Sequence, residues 1–72
     1  MTTNRKELAR QRKAQAAAKA LDRAARAMNE YMAAARDCDE RLEADDGRVL
    51  LVGDMSEFSH YLDSVYGKGG SA

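Results

Sequence analysis

Residues 4–45 read NRKELARQRKAQAAAKALDRAARAMNEYMAAARDCDERLEAD, without a proline or a glycine. Alanine, arginine, lysine, glutamine and glutamate fill most of the stretch, and all are strong helix formers. The composition predicts one long α-helix, which at 1.5 Å per residue would span roughly 60 Å. Asn4 can cap its start, with Glu7 three residues on in an N-x-x-E variant of the capping box. Asp45-Asp46-Gly47 supplies the stop, because glycine is favoured just past a helix C-terminus.

Within this stretch the apolar residues repeat in heptads. With Leu21 as position a, the a and d positions are Ala14, Ala17, Leu21, Ala24, Met28, Tyr31, Ala35, Cys38 and Leu42, all apolar. Positions b, c and f over the same span are mostly charged or amide, so the pattern predicts a helix-packing seam. The seam is uneven. Its N-terminal half is alanine, each methyl contributing at most about 0.8 kcal/mol on burial, whereas a buried leucine or methionine contributes roughly 1.5–3 kcal/mol. The substantial core is therefore expected near Met28, Tyr31, Met32 and Leu42. Ala18, Ala20, Ala25, Ala27 and Ala34 at e and g widen the seam and let another helix come close.

Beyond Gly47, Arg48–Val52 is β-branched and apolar, which predicts a short extended segment. A second helix is predicted over about 55–66, opened by Asp54 or Ser56, with Met55, Phe58, Leu62 and Val65 on its apolar face. Gly67 stops it, and residues 67–72 are expected to form a flexible tail. The resulting expectation is an all-α helical hairpin in one domain, residues 1–66. The short helix folds back on Met28–Leu42, burying Phe58 and Leu62 with Tyr31 and Met32, and the basic N-terminal half projects.

A chain of 72 residues with one cysteine is small for an independent core and cannot form an internal disulfide. No run approaches the ~20 apolar residues of a membrane span, which favours a cytoplasmic protein with no membrane partner. The net charge of zero hides a division. Residues 1–26 hold eight basic side chains against Glu7 and Asp22, a net +6, and residues 27–72 hold four against ten acids, a net −6. Asymmetry of this kind points to charged partners or to another copy.

The residues for chemistry are sparse. His60 is the single histidine, and with Cys38 it makes no spacing typical of a metal site. One histidine leaves little to activate Cys38 as a nucleophile. Asp45-Asp46-Gly47 fails as a calcium loop, since Leu42 and Ala44 fall where acidic ligands belong. No catalytic residue, metal or cofactor is expected.

Asn4 followed eight residues later by Arg12 resembles the basic region of basic-leucine-zipper factors, which implies base reading by the asparagine and phosphate contact by the arginine. The resemblance covers about nine residues. Glu7-Leu8 stand where that family has alanines, and the zipper positions here are alanine. Nucleic-acid binding is therefore carried by charge, through Arg5, Lys6, Arg10, Arg12, Lys13, Lys19, Arg23 and Arg26, which could equally meet an acidic protein surface. The favoured expectation is a non-enzymatic interaction module, an adaptor or inhibitor of a partner protein, similar in general character to small phage accessory proteins. Nucleic-acid binding and a structural role in a larger assembly are the alternatives. A homo-oligomer is expected, as an antiparallel dimer through the a/d seam.

Overall fold

A computed structural model describes residues 4–67. The expected tail at 68–72 lies outside the described residues. Two helices, α1 (Arg5–Asp37) and α2 (Gly47–Tyr66), pack side by side as an all-α hairpin. Asn4 caps α1 as its sequence predicts, its side-chain oxygen accepting from Lys6 N at 2.7 Å. Glu7 lies in the first turn, where its charge faces the positive end of the helix dipole.

α1 ends eight residues earlier than the predicted Asp45. The stop needs no glycine. Asp39 takes the left-handed conformation at φ 66°, so that its N–H reaches Arg36 O and Glu40 N–H reaches Ala35 O, both at 3.0 Å. Those two bonds form a Schellman motif with aspartate in the glycine position. Asp37, Asp39 and Glu40 near the negative end of the dipole also disfavour further helix. Leu42 leaves the helix but still packs against the core from the connecting loop.

The second correction concerns Arg48–Val52, which is helical and opens α2. Asp46, not Asp54 or Ser56, is the N-cap. Its carboxylate accepts from Arg48 N at 2.8 Å and from the Arg48 guanidinium at 3.0 Å. Val49 and Val52 gain more from burial on α1 than their branched side chains lose in a helix. Val52 forms the core cluster with Ala25 and Met32, and Met28, Leu42, Val49 and Met55 pack around it.

With twenty residues, α2 covers about 30 Å of its partner, not the ~18 Å of the expected short helix. It therefore runs along the basic half instead of leaving it to project. Ser59 Oγ donates to Ala18 O at 2.8 Å, and the Gln11 and Gln15 side-chain amides donate to Tyr66 O at 3.3 and 2.7 Å. Gln11 and Gln15 thus satisfy a carbonyl at the end of α2 that the helix itself leaves open. Only the first turns of α1 extend past Tyr66.

Candidate interaction surface

The intrachain seam uses a register one step away from the expected one. On α1 it runs Gln11, Ala14, Ala18, Leu21, Ala25, Met28, Met32 and Ala35, all buried or half-buried, with alternating steps of three and four. On α2 the same rhythm gives Val52, Met55, Ser59, Leu62 and Tyr66. Of the residues expected to form a self-association seam, α2 takes up Ala14, Leu21, Met28 and Ala35, and Leu42 packs from the loop. Ala17, Ala24 and Tyr31 are left exposed on one flank, and Cys38 is the exposed C-cap of α1.

The corresponding residues of α2 are large. Leu51, Phe58 and Val65, seven apart on one line, are 50%, 54% and 47% exposed, with Leu50 and Tyr61 beside them. Phe58, expected in the core, is therefore a surface residue, stacked on Tyr61 with ring centroids 5.8 Å apart. The physical reason is the position of Ser59. It occupies the seam because its hydroxyl finds Ala18 O, which rotates Phe58 outward. A seam read only from large apolar residues passes over that serine.

The two flanks of the hairpin differ in kind. On one, Lys19, Asp22 and Arg23 of α1 line a shallow groove with Ser59, His60 and Asp63 of α2. Helical rotation places Ala17, Ala20, Ala24, Ala27 and Tyr31 on the other flank, together with Leu51, Phe58, Tyr61 and Val65. That flank is largely apolar across both helices, with Asp54 on α2 and Lys13 at the open end of the α1 line as its charges. Near the hairpin end, Arg48 fixes the strip's border. Its guanidinium bonds Asp46, Glu40 Oε2 at 2.6 Å and the Tyr31 hydroxyl at 2.8 Å, and lies over the Tyr31 ring. The side-chain bond from Arg48, followed by that from the Arg48 backbone N–H, lowers the Asp46 carboxyl from 3.8 to about 2, and the bonds to Asp46, Glu40 and Tyr31 raise the already high Arg48 value further.

All eight candidate cations are exposed on α1. Arg5, Arg12, Lys19 and Arg26 are seven residues apart and so form one line on the polar flank, spaced about 10 Å. Arg26 is paired with Asp22 at 3.0 Å, and Arg10 lies over the Tyr66 ring at 5.8 Å. Among the described residues no group of three or more His, Cys, Asp or Glu side chains is placed to hold a metal ion, and no helix is long and apolar enough to cross a membrane. Comparison with family models, with characterised proteins and with solved structures gave no match, so the functional reading rests on this chain's own residues.

Proposed function

We propose that this protein is a small, non-enzymatic, cytoplasmic interaction module that works by docking its apolar flank onto protein, and that it self-associates in antiparallel fashion. One observation carries this reading: four large apolar side chains of α2, Leu51, Phe58, Tyr61 and Val65, stand about half exposed on the flank that also holds the exposed alanines of α1. Isolated surface leucines are ordinary, but a contiguous strip spanning two helices marks an interaction site. The alanines supply a smooth surface that a helix can approach closely, and the aromatic pair supplies the anchors that dominate binding energy.

The test compares three forms of the full chain as bait in a lysate of its source cells: wild type, Phe58→Glu and His60→Glu. A stoichiometric protein, either a second protein or the tagged chain's own untagged copy, should be held by wild type and His60→Glu and lost by Phe58→Glu. Retention by all three contradicts the proposal.

A second reading is supported by the line of Arg5, Arg12, Lys19 and Arg26, whose spacing suits a polyanion such as nucleic acid. Retention on heparin or duplex DNA that falls steeply with salt, and that Arg12→Glu/Lys19→Glu abolishes, would favour it.

A further inference from the structure

Deepening the interaction reading above and resting on it, we infer that the occupant of the apolar flank is a second copy of this chain. The two hairpins pack face to face with their loops at opposite ends, giving a four-helix bundle in which α1 lies against α1 of the second copy.

Three observations lead to this arrangement. The first is exposed apolar surface. The apolar strip holds Leu51, Phe58, Tyr61 and Val65 at 50%, 54%, 55% and 47% exposure, large side chains of the kind a specific interface buries. The hairpin's own core is slight, with Ala18, Ala25, Met32, Ala35 and Val52 as its buried apolar residues and none of them fully enclosed. A chain of this size usually needs such supplementary burial.

The second observation is charge. The open end of the hairpin carries Arg5, Lys6, Arg10, Arg12 and Lys13 against Glu7, and the loop end carries Asp37, Asp39, Glu40, Glu43, Asp45 and Asp46 against Arg36, Arg41 and Arg48, so the two ends keep opposite net charge. Hairpins with loops together would set like charge on like. Loops at opposite ends set each basic end beside the acidic end of the other copy.

The third is size matching. Ala17, Ala20, Ala24 and Ala27 let the two α1 backbones approach to the close end of the helix-packing range, around 8 Å. A twofold axis between Ala20 and Ala24 then brings Arg5 level with Asp39 of the second copy. Ser59 lies beside Ala18 within each hairpin, and this register carries Phe58 to the level of Leu51 of the second copy. Leu51, Phe58, Tyr61 and Val65 thereby close the wider α2 side of the bundle. The contact is isologous and leaves no open edge to propagate.

Sedimentation equilibrium of the full chain, with a spin label on the exposed Cys38, tests the inference. The expected species is a dimer at tens of micromolar. Ala24→Glu and Phe58→Glu should each weaken it at least tenfold while circular dichroism still reports two helices. Cys38 lies about 24 Å along the helix from the proposed axis, so the label-to-label distance should be about 50 Å. A distance below about 25 Å overturns the antiparallel packing. A monomer at all concentrations up to about 1 mM overturns the second copy as occupant. If that monomer binds an apolar dye through Phe58, the docking surface stands and only its occupant is wrong; if Phe58→Glu leaves dye binding unchanged, the docking surface falls too.

Discussion

The two flanks of the hairpin share one seam and the same backbone, yet one is finished and the other is not. On the polar flank, Lys19, Asp22, His60 and Asp63 meet water directly, and Arg26 has Asp22 as its partner. On the apolar flank, Phe58, Tyr61, Leu51 and Val65 stand about half exposed. Both flanks border the same seam. The difference comes from sequence choice at equivalent helical positions, and a chain that hydrates one flank so thoroughly could have hydrated the other. Under the proposed packing against a second copy, the contrast marks which flank is covered.

Substitutions in the shared seam should produce the largest effect and sharpen the comparison. Met32 is 4% exposed at the centre of the cluster with Ala25 and Val52. Met32→Ala should lower the unfolding free energy by about 2–4 kcal/mol in denaturant titrations. Phe58→Ala, measured under dilute conditions where the chain is single, should cost less than about 1 kcal/mol. Equal losses at the two positions would place Phe58 in the core and break the distinction.

A charge on either flank separates them next. Phe58→Glu should raise the dissociation constant of the associated state at least tenfold, about 1.4 kcal/mol. His60→Glu, on the polar flank, should change it by less than threefold. Size-exclusion chromatography with light scattering over a dilution series reads both.

Smaller effects test the backbone that holds the flanks in place. Gly53 is a helix-interior glycine with open space where a Cβ would stand, so Gly53→Ala should stabilise α2 by about 0.5–1 kcal/mol in thermal melts. Asp39→Gly, at the left-handed turn, should stabilise by a similar ~0.5–1 kcal/mol because glycine adopts that conformation without strain. A loss in either case would show that the local geometry differs from that described.

The smallest effect is with pH. The Asp46 carboxyl is depressed in the folded chain, mainly by its side-chain bond to Arg48, from 3.8 to about 2. A depressed acid stabilises the fold above its unfolded value and loses that contribution as pH falls toward the folded one. Stability should therefore decline between about 3.8 and 2, and Asp46→Asn should flatten that part of the curve. An unchanged acid limb would mean the Asp46–Arg48 pair does not persist in solution.

The hairpin was legible in the sequence because two signals agreed. Helix formers ran unbroken from Asn4, and apolar residues kept a heptad rhythm through Met28 and Ala35. The boundaries between the helices were not legible. Asp39 does the work of a glycine in a stretch with no glycine, and Val49–Val52 has a strand-like composition that burial on α1 overrides. The candidate surface was half legible. Ala17, Ala24 and Tyr31 of the expected seam are exposed on one flank, Tyr31 with Arg48 over its ring. The spacing of Phe58 from Met55 and Leu62 fits a buried amphipathic face as well as it fits the surface position that Phe58 takes. Two apolar stripes at adjacent helical angles cannot be ranked until Ser59 is seen to pack against Ala18.

The central claim is that the apolar flank is covered in the working state and the polar flank is not. Hydroxyl-radical footprinting of the full chain across a concentration series measures this residue by residue. Phe58, Tyr61 and Tyr31 should lose most of their reactivity as concentration rises through the association range, while that of His60 stays constant. If Phe58 and His60 remain equally reactive at every concentration and with every partner recovered, the apolar flank is bare surface and the account is wrong.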